Sequence, residues 1–435
     1  VTAAPPRPEL KPEVEQRLKS IGRVDVLVGI PSFNNARTIG HVVRAVAAGL
    51  ARHFPEARAV LVNSDGGSTD GTREVVEKTE LGALPEILVD AVPDSPLHRI
   101  VTPYTGLPGK GSALRTIFQV AADLEATACC VVDSDVRSIT PEWVELLLSP
   151  VLDHGYEFTA PLYARHRYDG TITNTIVYPL TRALYGRRIR QPIGGDFGFS
   201  GDLARRFLAW EDWEGPVARY GIDIFMTTTA LAERRRVCQS FLGAKIHDPK
   251  DPGADLQDMF VQVVSTLFDL MRKHPAVWKP VVGSEPTPVF GLPYAVGLEP
   301  VAVRVDRLVE IFKRGATELG PVWSAFLPPD LIARITSAAA GSVPALSDET
   351  FVRIIYAAAA GWRHPALPRE TFVRSLVPLY LGKVATFVEE TRDATTEEAE
   401  ARLEALAKTY EAEKPLLASR WDAAPEPATP AKGGS

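Results

Sequence analysis

Two aspartates one residue apart, Asp133-Ser134-Asp135, directly follow the apolar run Ala128-Cys129-Cys130-Val131-Val132. A buried strand ending this way delivers two carboxylates to a strand-end loop, where one turn can aim both at a single point. Such a pair suits a hard divalent cation, which takes oxygen ligands and shares them with substrate phosphates. The plainer reading is a turn whose aspartate caps the helix starting near Pro141. A second loop, Asn63-Ser64-Asp65-Gly66-Gly67-Ser68-Thr69-Asp70-Gly71-Thr72, also follows a strand-like run. Its glycines let backbone approach a ligand, Asp65 is an acceptor for a base or ribose, and Asp70 stands where a helix N-cap belongs. In a third loop, Gly106-Leu107-Pro108-Gly109-Lys110-Gly111-Ser112, the lysine is followed by glycine and the first glycine is too close, so the P-loop pattern fails. Lys110 still opens a helix, where free N–H groups and the helix dipole add to its charge in attracting phosphate. Three further groups are bland singly: Gln191-Pro192-Ile193-Gly194-Gly195-Asp196, Tyr220-Gly221-Ile222-Asp223 and Lys245-Ile246-His247-Asp248. A lone histidine is more often structural than a ligand, and Asp223 can simply cap the helix after it.

The elements that must position these residues alternate. Strand-like runs are expected at 24–30, 59–63, 86–90 and 128–132, and helical spacing at 38–54, 70–78 and 111–124. This rhythm predicts an α/β domain with a mixed, mainly parallel sheet covered by helices on both faces, over residues 23–255. Such sheets bind ligands at the carboxyl ends of their strands. Ahead of it, 1–22 reads as a proline-rich arm with a short helix. From 256 to 422 the strand signal fades and helical periodicity dominates, at 256–273, 301–319, 329–340, 348–360, 369–389 and 396–419, with Ser347 as an N-cap. That predicts a C-terminal all-α domain, which packs on the α/β domain or forms a homodimer. The end, 423–435, is low-complexity and reads as a disordered tail.

Composition narrows the function. The chain has 435 residues, 45% apolar and 23% charged, and a net charge of −6. An acidic balance disfavours general nucleic-acid binding, which needs a cationic surface. No run reaches the roughly 18 consecutive apolar residues of a membrane span, so no transmembrane segment is expected. The three cysteines, two of them adjacent in an apolar run, fit a reducing cytoplasm better than a disulfide framework.

The ordered set Pro31-Ser32-Phe33-Asn34-Asn35, Asp65-Gly66-Gly67-Ser68-Thr69-Asp70-Gly71-Thr72, Pro108-Gly109-Lys110-Gly111, Asp133-Ser134-Asp135, Gly194-Gly195, Gly221-Ile222-Asp223 and His247 resembles the GT-A-fold (Rossmann-like) glycosyltransferases. It is most similar to the glucosyl-3-phosphoglycerate and mannosylglycerate synthases, and covers about half the chain. The resemblance implies transfer of a hexose from a nucleotide-diphosphate sugar, UDP-glucose or GDP-mannose in type, to glycerate or its phosphate with retention of configuration, assisted by Mg²⁺ or Mn²⁺. It implies donor contacts from Pro31, Ser32, Asn35, Asp65, Lys110, Asp133 and Ser134, and metal ligation by Asp135 and His247. Gly194 and Gly195 would line the reaction centre, and Asp223 would contact sugar or acceptor. Arg165, Arg167, Thr173 and Asn174 fall where these families hold the acceptor, and suit a small carboxylate or phosphate. The superfamily often has Glu where this chain has Asn35. An inverting transferase for a lipid, protein or polysaccharide, with Asp223 as base, is the alternative. A nucleotidyltransferase or a non-catalytic nucleotide-sugar-binding protein stands behind it.

Overall fold

The computed structural model describes residues 7–80, 97–246, 256–294, 296–298, 300–342 and 344–423. The chain divides into two units: a sheet unit of residues 1–166, 187–249 and 285–300, and a helical unit of 167–186, 250–284 and 301–435.

Ten strands are present among the described residues: β1 Val26–Ser32, β2 Ala59–Asp65, β3 His98–Pro103, β4 Ala128–Val131, β5 Phe158–Ala164, β6 Arg187–Arg188, β7 Phe197–Ser200, β8 Val237–Ala244, β9 Glu285–Pro286 and β10 Val289–Phe290. Eight form one sheet in the order β10-β8-β5-β7-β4-β1-β2-β3, and β6 pairs with β9 separately. Within the large sheet only β7 runs antiparallel to its neighbours. The central strands β1 and β2 are buried along their whole length, as strands covered on both faces must be. Val26, Val28 and Ile30 face a core shared with Val43 and Val46 of helix Ile39–His53 and with Val144 and Leu147 of helix Pro141–Leu152. On the opposite face, Ile117 of helix Lys110–Asp123 lies against Gly29.

Several elements depart from the expected pattern. The strand expected at 86–90 lies outside the described residues. The third strand described is β3, which carries Arg99 and ends in Pro103. It sits at the sheet edge with only alternate residues buried, so it needs no continuous apolar run. Strand β5 contains Pro161, which a central strand rarely tolerates. Its pairing to β7 covers Phe158 and Thr159, and Pro161 lies beyond it. Pro31 falls inside β1 instead of ending it.

Within the helical unit, Phe260 and Tyr380 stack at 4.8 Å between ring centroids, and Trp323, Tyr356 and Tyr410 are fully buried. The Ser347 hydroxyl accepts from the Thr350 backbone N–H, capping helix Asp348–Gly361. The helical run expected at 369–389 is two helices, Arg369–Arg374 and Val377–Glu390. Pro378 lacks the N–H and would clash with the turn before it, so the chain restarts there. By length and composition the stretch Arg369–Glu390 could cross a membrane, but 83% of its apolar window is buried in the protein, as in a core helix.

Candidate active site

Because β1, β2, β4, β5 and β8 are parallel to one another in sense, their carboxyl ends share one edge of the sheet. Ser32, Asp65, Asp133, Arg165 and Lys245 all stand at or just beyond those ends. The antiparallel β7 contributes its beginning instead. Val131 pairs with Phe197, so Asp196 arrives beside Asp133 and accepts its backbone N–H at 2.7 Å.

At this edge three carboxylates and two ammonium groups interlock. Lys110 Nζ lies 2.8 Å from Asp133 Oδ1 and 3.1 Å from Asp223 Oδ1, and donates to the Gly195 carbonyl at 3.2 Å. Lys245 Nζ lies 2.7 Å from both Asp133 Oδ2 and Asp196 Oδ2, and donates to the Gly194 carbonyl at 2.8 Å. An ammonium has three donors, and Lys245 is matched to three oxygens, whereas the Lys110 contact with Asp223 is an ion pair that leaves Asp223 Oδ1 without a hydrogen bond. Asp196 is fully buried and also accepts from the Tyr163 hydroxyl. Arg165 lies over the Tyr163 ring, 5.4 Å from its centroid. Gly195 has φ +93°, and a Cβ there would fall 2.1 Å from Asp133 Oδ2; glycine is what allows this strap to cross the cluster.

These contacts set the charge states. Burial opposes the charge on Asp133, but Lys110 and Lys245 outweigh it and hold the carboxyl well below its usual range. Both ammonium groups are likewise held above the ordinary lysine value by their aspartates, against burial. Asp223 goes the other way: burial raises it, and the Asp133 charge adds to that beyond what Lys110 offsets. Three carboxylates face two ammonium groups and the Arg165 guanidinium, which acts on Lys245 and Tyr163, so the cluster is balanced within itself. Asp135, in the same loop, brings a further hard oxygen donor of the kind a divalent cation takes.

Neighbouring loops are clasped together. Asp65 is 1% exposed. Its Oδ1 accepts from the Gly67 and Ser68 N–H groups at 3.0 and 2.9 Å, and its Oδ2 from the Ser32 and Ser68 hydroxyls at 2.9 and 2.6 Å. Four bonds fill its lone pairs, so in this structure Asp65 organises its own loop. Asn35 Oδ1 accepts from the Ser134 hydroxyl at 2.8 Å and the Phe33 N–H at 3.0 Å, tying the loop after β1 to the one after β4. Ser134 is thereby engaged in loop-to-loop bonding. Asp70 accepts from the Thr72 hydroxyl and backbone N–H and from the Ala36 N–H. Pro31 is buried within β1. At Gly111 chain packs directly on chain, for a Cβ there would meet the Val217 carbonyl at 1.9 Å.

Of the residues singled out in the sequence, Lys110, Asp133, Gly194, Gly195 and Asp223 converge in one cluster. Asp135 lies in the same loop, partly exposed. His247 lies outside the described residues. Ile246, just before it, accepts from the Arg137 N–H at 2.9 Å and donates its own N–H to the Ser138 hydroxyl at 3.0 Å, so the chain reaches that point bonded to the loop after Asp135. Among the described residues no group of three or more His, Cys, Asp or Glu side chains is placed to hold a metal ion. The stretch expected to hold the acceptor is divided: Arg165 belongs to the sheet unit, whereas Arg167, Thr173 and Asn174 belong to the helical one. There Thr173 opens a five-residue π-helix, Thr173–Val177, and Asn174 donates to the Asp169 carbonyl at 3.0 Å. Sequence reasoning passed over Lys245, Asp196 and Tyr163. Lys245 and Asp196 lie inside motifs that were noted, and strand direction was the missing signal.

Residues 27–212 match the model of glycosyl transferase family 2. The glucosyl-3-phosphoglycerate synthase of Petrotoga mobilis (strain DSM 10674 / SJ95) is 23% identical over 274 residues, 59% of this chain and 77% of that protein. A crystal structure of glucosyl-3-phosphoglycerate synthase from Mycobacterium tuberculosis, in complex with Mn²⁺, UDP and glucosyl-3-phosphoglycerate, is 20% identical, covering 60% of this chain and 84% of that one, with a TM-score of 0.41. The structure of that enzyme with phosphoglyceric acid is 20% identical over 62% and 87% of the two chains, with a TM-score of 0.42. The mixed, mostly parallel sheet, with the family match lying across it, is the GT-A-like fold that the motifs implied.

Proposed function

We propose that this chain, a nucleotide-sugar hexosyltransferase carrying a glycosyl transferase family 2 domain, moves a glucose- or mannose-type unit from UDP or GDP to glycerate or 3-phosphoglycerate with retention of configuration. The observation that carries the reading is the Lys110–Asp133–Lys245 cluster beneath the Gly194-Gly195 strap, at the strand edge where such folds bind ligands. The resemblance to glucosyl-3-phosphoglycerate synthase and the cationic Arg165 support a small anionic acceptor.

Breaking the anomeric C–O bond leaves negative charge on the diphosphate and positive charge on the sugar. Asp135 and His247 would hold a divalent cation, which when bound supplies electrostatic stabilisation of the departing diphosphate. Lys110 adds a fixed positive charge in a partly desolvated setting, where it acts strongly. The carbonyls of Gly194 and Gly195 are fixed by the two lysines, and so hold the strap that would face the sugar. Asp223, with its pKa raised, carries the second reading: an inverting transfer in which it takes the acceptor proton.

A donor-by-acceptor screen, with NMR of the product's anomeric configuration, tests both. A product with the donor's configuration supports the first reading, and an inverted one moves the role of base to Asp223. Asp135→Ala should abolish turnover while the thermal midpoint stays close to the parent's. Activity within about ten-fold of the parent in that variant would remove the metal assignment.

A further inference from the structure

The segment that leads into β7 runs beside β5 without a ladder to hold it. β7 pairs with β5 only at Phe158 and Thr159, and Pro161 has no N–H with which to carry the pairing on. Gly194 lies directly on that proline, for a Cβ there would fall 2.2 Å from a carbon of the Pro161 ring. The segment also carries two adjacent glycines, whose backbone loses the most freedom on being fixed. Strand pairing does not hold it, so side chains must.

The buried Gln191 sets its amide against the backbone of Tyr163. Its Oε1 accepts the Tyr163 N–H at 3.1 Å, and its Nε2 donates to the Tyr163 carbonyl at 3.0 Å. A side chain thereby copies one rung of a ladder, two residues beyond the proline that interrupts it. The backbone dictates how the amide is turned, since the reverse orientation would set donor against donor and acceptor against acceptor. The neighbours are fixed too. The Arg190 N–H donates to Gln239 Oε1 at 2.7 Å, and the Thr227 hydroxyl donates to the Pro192 carbonyl at 2.8 Å. Thr227 stands one turn after Asp223 on helix Ile222–Ala232. At the far end Asp196 accepts from the Tyr163 hydroxyl. Tyr163 therefore clasps both ends of the strap, Gln191 through its backbone and Asp196 through its side chain.

We propose that Gln191 is a positioning residue for hexosyl transfer, its amide pairing with Tyr163 setting where the Gly194-Gly195 strap lies against the Lys110–Asp133–Lys245 cluster. The proposal rests on the reading above that this strap faces the donor sugar. Gln191 acts through the strap and leaves the nucleotide contacts in place. A misplacement at the reacting centre is felt in the transition state, so its loss should fall on kcat and not on the KM for the donor.

The test is steady-state kinetics of the full chain with Mn²⁺ and the donor and acceptor identified by the screen, together with hydrogen exchange across residues 191–197, which needs no turnover. Gln191→Met should lower kcat by roughly ten- to a hundred-fold, leave the KM for the donor near the parent's, and speed exchange in the strap. Gln191→Glu keeps the shape. When ionised it has no donor for the Tyr163 carbonyl, and when protonated it regains both bonds. Its kcat relative to the parent's should therefore climb as pH falls, which a loss of packing alone would not produce. Parent-like exchange in Gln191→Met overturns the clasp. Faster exchange with parent-like kcat, or a Gln191→Glu ratio that does not change with pH, overturns the positioning role and leaves the hexosyltransferase reading intact. A parent that transfers no hexose to any acceptor overturns both.

Discussion

Lys245 shows how much of the site hangs on one side chain. Its ammonium is 4% exposed and touches Asp133 and Asp196, the second of which has no exposure at all. A charge so placed is tolerable only because it is paired, and removing one partner of a buried pair leaves the other uncompensated. Lys245→Met would leave Asp133 and Asp196 facing one another with only Lys110 to balance Asp133. The expected cost is about 3–5 kcal/mol in urea unfolding, together with loss of turnover, since the Gly194 carbonyl loses its anchor too. Tyr163→Phe is the control. It removes one donor from Asp196 and keeps Lys245, so its cost should stay near 1–2 kcal/mol. Equal losses in the two variants would mean that the Lys245 ammonium contributes no more to holding Asp196 than the single Tyr163 hydroxyl does.

At the level of elements, Lys414 offers a test whose sign is set by burial. It lies in helix Thr396–Ala423, is 6% exposed, and donates to the Val281 carbonyl at 2.6 Å. Burial pushes its ammonium down to about 8, against the opposing charge of Glu411. The unfolded chain therefore holds more protons than the folded one between about pH 8 and the ordinary lysine value near 10.4. Stability rises with pH across that window. Lys414→Met carries no such proton, so it should be the more stable protein at pH 7, and the gap should close as the parent is taken towards pH 10.5. Thermal midpoints of the two proteins at matched pH check this, and a gap that widens with pH would contradict it. The same elements show what could be read beforehand. Strands β1, β2 and β4 were legible because a strand buried on both faces must be a continuous apolar run. Strand β3 was not, since an edge strand tolerates Arg99 and a closing proline. In the site, Lys110 and Asp133 stood out through loop chemistry, and Asp223 only through the resemblance of the ordered motifs. Asp196 and Lys245 did not, because their convergence depends on β7 running against β4 and on β8 running with β5, and pairing direction leaves no mark on either short run.

Across the whole molecule, the chain does not pass once from one unit to the other. Residues 167–186 leave the sheet between β5 and β6 and are built into the helical unit, while 285–300 return to the sheet. The excursion is held by specific bonds. Tyr410 donates to the Thr175 carbonyl at 3.1 Å, Thr171 and Tyr380 share a hydroxyl contact of 2.5 Å, and Arg182 meets Glu404 at 2.6 Å and Glu411 at 2.9 Å. Arg182 is 1% exposed, whereas its two partners keep 33% and 18% of their side-chain surface. Its loss therefore strands partly hydrated carboxylates, and Arg182→Met should cost about 2–3 kcal/mol in urea, less than a fully buried pair. A fragment of residues 256–423 lacks the whole excursion. It exposes the face of helix Thr396–Ala423 that Tyr178–Tyr185 covers, and leaves Glu404 and Glu411 without their arginine. Such a fragment should show no cooperative thermal transition by circular dichroism. Adding a synthetic peptide of residues 167–186 should raise its helicity, because the peptide returns both the apolar cover and the buried cation. A fragment that unfolds cooperatively without the peptide would mean that the helical unit is complete by itself, and that the excursion serves the sheet unit's chemistry instead of the helical core.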